Sequence, residues 1–299
     1  MDVLRNRNKK NKSNKRISMF FVLCAGILWG CMGIMVRKMN KSGLGAMEVV
    51  SIRSFVTAIL MLMYMFLFNR KELKIRVKDI WCFLGTGLLS VVFFNVCYFS
   101  CMNYTSLSTA AILLYTAPSF VMVMSFFLFK ERFTVKKILA VLLAFAGCIL
   151  VSGGISKEGI GTIGLLTGLG AGFGYALYSI FSRFAILKGY SSYTITTYTF
   201  SFAAIGTLPF VDYGHMLNCI TGDVTLIPFG IVMTFITTVA AYLLYTKGLA
   251  GIENGKASIL ASVEPVVASV VGVALFGEVM TPAGGAGMLL VLASCFIIR

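Results

Sequence analysis

The chain has 299 residues, 58% of them hydrophobic and only 12% charged, which is too apolar for a surface that faces water. Its 26 Lys and Arg against 11 Asp and Glu give a net charge of +15. In a soluble domain that balance would suggest nucleic acid, but here the cations sit in short segments between apolar runs, which argues against a nucleic-acid partner and for a membrane protein whose basic loops set its orientation.

Residues 1–16 carry seven Lys or Arg among Asn and Ser, with almost nothing to bury, so a disordered cytoplasmic arm is expected. The apolar run 17–36 behind it is long enough, at about 1.5 Å per residue, to cross a hydrocarbon core of about 30 Å. No small-residue cleavage site interrupts it, so it reads as a first span and not as a signal peptide. Nine further runs follow, at 46–68, 80–102, 107–129, 137–154, 162–184, 192–211, 225–247, 255–277 and 280–298. The expectation is an all-α polytopic membrane protein with ten transmembrane helices, because in lipid a helix satisfies its own backbone groups. With the arm inside, about 21 Lys and Arg fall in cytoplasmic segments, Arg299 included, and about four outside: Arg37, Lys38, Lys41 and Lys157. That imbalance puts both termini in the cytoplasm of a cell membrane.

The chain also repeats itself. An offset of 147 residues lays Tyr98 on Tyr245, Ile112-Leu113 on Ile259-Leu260, Pro118 on Pro265, Leu128-Phe129 on Leu275-Phe276, Glu131 on Glu278, Thr134 on Thr281 and Cys148 on Cys295. A weaker echo at 146 pairs Gly26 with Gly172, Trp29 with Tyr175 and Arg37 with Arg183. Two repeats follow, at 17–154 and 160–299. Five spans in each is an odd number, so the second repeat enters the membrane from the opposite side. Inverted five-helix repeats are a signature of secondary transporters, with substrate at midplane between them and alternating access by rocking.

No enzyme signature is present. There is no His-Glu-x-x-His and no Gly-x-Ser-x-Gly, and the one histidine, His215, lies in a loop. Residues 251–257 resemble a nucleotide loop but are one residue short and lack the Ser or Thr after Lys256, so they read as the turn between spans 8 and 9. The eight cysteines show no disulfide spacing, and Cys97 with Cys101 has no further ligands, so neither a metal nor another cofactor is assigned. Gly26 and Gly30, like Gly164 and Gly168, have the small-xxx-small spacing that lets helices approach closely.

The residues that could carry transport lie inside the spans. Glu264 sits nine residues into span 9, roughly 13 Å deep, where a carboxylate costs at least about 2.5 kcal/mol. It reads either as a proton-coupling or cation-recognising group, or as a structural acid capped by Lys247, Ser258 or Ser262. Its repeat partner is Ala117, so the scaffold itself needs no acid there. Arg53, about 10 Å into span 2, either binds a substrate carboxylate or snorkels to Glu48 or a helix end. Pro118 and Pro265 deprive Leu114 and Ala261 of their helical partners and so mark kinks with a hinge consequence. Trp29, Asn95, Tyr98, Tyr115, Tyr175, Tyr178, Tyr242 and Tyr245 need partners for polar atoms away from the headgroups, which a substrate-binding cavity would supply.

These features resemble the drug/metabolite transporter superfamily, specifically its EamA-type branch. The resemblance rests on Trp29-Gly30, Tyr98, Thr109-Ala110-Ala111, Ala117-Pro118 with Leu128-Phe129-Lys130-Glu131, and Glu264-Pro265-Val266-Val267 with Leu275-Phe276-Gly277-Glu278. It covers about residues 20–298 and implies a basket-like bundle, a central cavity lined by spans 1, 3, 4, 6, 8 and 9, and export of amino acids, amphipathic drugs or other small metabolites. Tyr175 departs from it, standing where the family often has a second Trp. Alternatives compete: a flippase for lipid-linked substrates, which would need a basic headgroup pocket, an uptake permease of the same fold, and a membrane enzyme, which the poverty of His, Asp and Glu in the spans opposes.

Overall fold

A computed structural model describes residues 2–153 and 161–298, so Lys157, Arg299 and the expected junction between the repeats lie outside it. The helices are α1 (Asp2–Gly30, continued after a break at Cys31 by Met32–Lys41), α2 (Ala46–Phe68), α3 (Val77–Tyr104), α4 (Leu107–Phe129) and α5 (Val135–Val151). There follow α6 (Thr162–Leu187), α7 (Ser192–Thr207), α8 (Leu226–Leu249), α9 (Asn254–Phe276) and α10 (Pro282–Ile297). A short helix, Tyr213–Gly222, interrupts the connection from α7 to α8. No strand occurs among the described residues.

Seven helices, all but α5, α7 and α10, are long and apolar enough to cross a membrane. The other three have 17, 16 and 16 residues. Sixteen residues rise about 24 Å, short of a core of about 30 Å. The helix α1 begins within the basic arm, at Asp2, and runs on into the first span. Lys and Arg are good helix formers, and a span already formed supplies the nucleus that an isolated segment lacks.

The repeat visible in the sequence is repeated in the local backbone. Lys130 and Gly277, one offset apart, both end their helices in the left-handed region, at φ 56° and 68°. Glu131 N–H then bonds Ser125 O, and Glu278 N–H bonds Gly272 O, both at 3.2 Å. Thr134 and Thr281 accept from the N–H groups of Lys137 and Gly284 and so start α5 and α10 alike. Wider π-type turns span Gly85–Val92 in α3 and Phe235–Ala240 in α8, which overlap when shifted by the offset.

Packing follows the same exchange between halves. The partner of α1 is α8, and the partner of α6 is α3, while α2 pairs with α7 and α5 with α10. The α5–α10 pair is close because Gly147 and Gly287 face one another; a Cβ on either would lie 2.7 or 2.6 Å from the other's carbonyl oxygen. The connectors collect at two ends. At one, here called the basic end, Glu131 and Lys137 meet Glu253 and Asn254, and Asp79 meets Lys188. At the opposite end Arg37 meets Glu278, and Glu48 meets His215. The start of α1 and the end of α6 both lie at the basic end, so the helices that open the two repeats run in opposite directions.

Candidate functional site

The site is built on two broken helices. α4 stops at Leu114 and resumes at Ala117; α9 stops at Ala261 and resumes at Glu264, the same step one offset later. Pro118 and Pro265 fall in the first turn of the resumed helices, where a missing N–H costs little, so each proline helps end one half-helix and begin the next. A glycine presses on each break. A Cβ at Gly26 would stand 3.0 Å from Ala261 O, and one at Gly172 would stand 2.9 Å from Leu113 O. The small-residue spacing thus has a local purpose: it brings α1 and α6 against the backbone of α9 and α4.

The breaks match in backbone and differ in chemistry. Ala117 lies in an apolar cluster with Val121 and Ala176. Glu264 begins a half-helix, where the aligned N–H dipoles favour an anion, and accepts a hydrogen bond of 3.2 Å from Tyr175 Oη. Lys247, offered above as a cap for it, instead lies 5.0 Å over the Phe21 ring. The Ser258 and Ser262 hydroxyls donate to Gly255 O and Ser258 O in their own helix, although both side chains line the same small cavity as Glu264.

Beside the acid stands a group of rings. Trp29 lies 6.2, 5.2 and 5.1 Å, centroid to centroid, from Tyr175, Tyr242 and Tyr245, and Tyr178 lies 4.9 Å from Tyr242. Besides Tyr175 on Glu264, two more hydroxyls are engaged, Tyr178 with Thr246 at 2.8 Å and Tyr245 with Ser179 at 2.7 Å. The Trp29 indole N–H is buried and has no partner among the described residues. Tyr115 shares the Glu264 cavity, while Trp29, Tyr178, Tyr242 and Tyr245 line a second one, with Tyr175 and Ser179 in the walls of both. Each has a volume of about 10 Å³, room for about one water.

Three of the singled-out residues behave differently from the rest. Arg53 does not reach Glu48; its Nε donates to Thr238 at 3.1 Å, and its charge acts on Tyr242 and Glu264. Glu48 is taken by Gly45 N–H at 2.7 Å and His215 at 2.9 Å. Snorkelling therefore gives way to a polar contact on α8. Asn95 spends its amide on Val91 O of its own helix at 2.7 Å, and Tyr98 stacks near Phe94 and Phe99, so neither lines the two cavities. Asn95 looked polar enough for a cavity because a sequence does not show that the preceding turn can take up its donor.

Sequence reasoning missed Arg183, Glu131 and Lys137 at the basic end. Arg183 donates to Asn254 Oδ1 at 2.6 Å and to Ile252 O, and Lys137, 2% exposed, sits between Glu131 and Glu253. The pairing of Arg37 with Arg183 in the repeat was the available signal.

Known proteins bear on this geometry. The model of the EamA-like transporter family matches residues 16–153 and again 162–299. The chain belongs to that family. It is 26% identical over 282 residues to the uncharacterized transporter YwfM of Bacillus subtilis, covering 93% of this chain and 92% of that one. It is also 26% identical over 197 residues to a Salmonella typhimurium protein described as a probable amino-acid metabolite efflux pump, covering 63% and 66%. A crystal structure superimposes with a TM-score of 0.76 at 14% identity, over 94% and 95% of the two chains, and so shares the fold. The chain is a multi-pass membrane protein of a transporter family.

Proposed function

We propose that this protein is a secondary transporter that exports a small amine-bearing metabolite, of amino-acid size, through the space between the two helix breaks, which in this conformation is closed down to two cavities of about 10 Å³ each. In this reading all ten helices span the bilayer as inverted repeats, the basic end faces the cytoplasm, and access alternates as one repeat rocks against the other. The three short helices would match the membrane by local thinning.

One observation carries the proposal: the Glu264 carboxylate opens a half-helix and accepts from Tyr175, whose ring packs on Trp29 in the aromatic group that also holds Tyr242 and Tyr245. A carboxylate next to aromatic faces suits an ammonium group, through charge and cation–π attraction. The unengaged Trp29 indole N–H and the Arg53 guanidinium suit an acceptor such as a carboxylate. The Salmonella relative's description agrees with a zwitterion of this kind. Because Glu264 meets either a proton or the substrate's ammonium, exchange of the two would couple export to proton entry.

Flux of labelled amino acids across vesicles carrying a pH gradient tests the idea. Wild type should show gradient-dependent flux that Glu264→Gln reduces at least about tenfold while its melting temperature holds; removing one partner of a charge pair costs about 1.5–3 kcal/mol. Equal flux in the two proteins would remove Glu264 from the mechanism.

A further inference from the structure

The two ends of the molecule are built from repeat-related residues, yet they are in different states. At the basic end Glu131, from the first half, reaches across to the second: its carboxylate accepts from Asn254 N–H at 2.7 Å and Gly255 N–H at 3.2 Å, capping the start of α9. Arg183 holds the same four-residue stretch by Asn254 Oδ1 and Ile252 O. Asn254 is fully buried and the first half of α9 packs against the second half of α4.

One offset away, Glu278 and Arg37 stand where Glu131 and Arg183 stand, and the start of α4 at Leu107 and Ser108 corresponds to Asn254 and Gly255. Here the acid crosses to the first repeat as well, but not to the start of α4. Glu278 pairs with Arg37, both nearly half exposed, and the Arg37 guanidinium lies 4.2 Å over Phe276. The start of α4 takes its cap from Ser106, with Leu107 62% exposed.

We propose that Glu131 and Glu278 are alternating latches. In the conformation seen, Glu131 and Arg183 clamp the start of α9 at the inner edge of a cavity of about 740 Å³ at the basic end, while Glu278 waits on Arg37. When the repeats rock, Glu278 swings to the N–H groups of Leu107 and Ser108, Arg37 turns to the Thr105 carbonyl, and Glu131 lets go. Each acid serves the half-helix of the other repeat because an inverted duplication exchanges the partners across its dyad. A helix N-terminus is a favourable seat for a carboxylate at either end, so the two closed states are close in energy, as a transporter cycle needs. The inference rests on alternating access but not on any substrate.

The test reads both ends by cross-linking in a protein whose native cysteines are replaced by alanine. One reporter is Leu107→Cys with Val279→Cys at the opposite end; the other is Arg132→Cys with Lys256→Cys at the basic end. A short bifunctional thiol reagent is applied in membranes without substrate. Glu131→Gln should raise the opposite-end yield at least about threefold and lower the basic-end yield. Glu278→Gln should do the reverse, and Glu131→Asp should fall between Glu131→Gln and the unmutated reporter. Unchanged yields, or yields that rise together at both ends as in general loosening, would overturn the latches. Should Glu131→Gln fail to fold, the exposed Glu278→Gln decides alone: a lower opposite-end yield supports the proposal and an unaltered one refutes it. Because no substrate is present, failed latches leave the Glu264 flux test standing, and failed flux leaves the latches decided.

Discussion

At the basic end, charges are buried and shared. Asp79 is fully buried and accepts from Lys188 at 2.6 Å, Arg76 at 2.7 Å and Tyr190 at 2.9 Å, while Lys137 joins Glu131 and Glu253. At the opposite end the charges form two separate pairs, Arg37 with Glu278 at the surface and the exposed His215 with the buried Glu48. One duplicated scaffold therefore carries a rigid end and a loose one. The difference teaches that duplication copies backbone, while the surroundings of each side chain decide whether a charge holds the structure or stays free to change partner.

The largest effect that could break this contrast is expected at Lys137. Lys137→Met leaves the nearly buried Glu131 without its ammonium, and breaking a buried pair costs about 3 kcal/mol or more. Thermal unfolding in detergent should show a large drop; a loss as small as that of a surface pair would mean the network at this end is not structural. A tightly packed and an open position can next be compared along α1 alone. A Cβ at Gly26 would stand 2.7 Å from Val263 and 3.0 Å from Ala261 O, so Gly26→Ala should cost about 1–3 kcal/mol by overpacking. Gly33 has nothing within 4 Å, so Gly33→Ala should gain up to about 1 kcal/mol from helix propensity. Equal shifts in the same assay would deny the packing difference.

Smaller still is Arg37→Ala. Its pair with Glu278 is exposed, and such pairs are worth about 0–1 kcal/mol, so the melting temperature should hardly move even where the cross-linking balance does. The least effect is expected from His215, whose pKa is raised above 6.5, first by its hydrogen bond to Glu48 and then by that acid's charge. A raised pKa means that the pair's contribution is complete below pH 6.5 and disappears as pH climbs through the folded value. Melting temperature should therefore fall slightly between acidic and alkaline buffer, and the part due to this pair should vanish in His215→Gln. An identical pH profile in both proteins would show that His215 ties down nothing.

Much of the architecture was legible because its signals are local or periodic. Apolar runs gave α2 and α4 their bounds, the 147-residue offset foretold the matched breaks at Leu114 and Ala261, and Pro118 and Pro265 marked where those breaks fall. The acid-and-aromatic group was legible in part, since Trp29, Tyr175 and Glu264 are costly in lipid unless they find partners. What stayed hidden was which partner each finds. Asn95 turns to its own Val91, Arg53 turns to Thr238, and the short helix Tyr213–Gly222, amid a loop, carries His215 to Glu48.

The sequence by itself determined that the chain lives in a membrane, is helical, is duplicated, and holds its acid in one half only. Hydropathy, helical rise and internal identity are properties of a string and can be read without a fold. The tertiary structure alone decided that Glu131 crosses to α9 while Glu278 does not cross to α4. Two identical residues in register carry the same information in one dimension; only the burial and geometry of their surroundings in three dimensions make one a clasp and leave the other waiting.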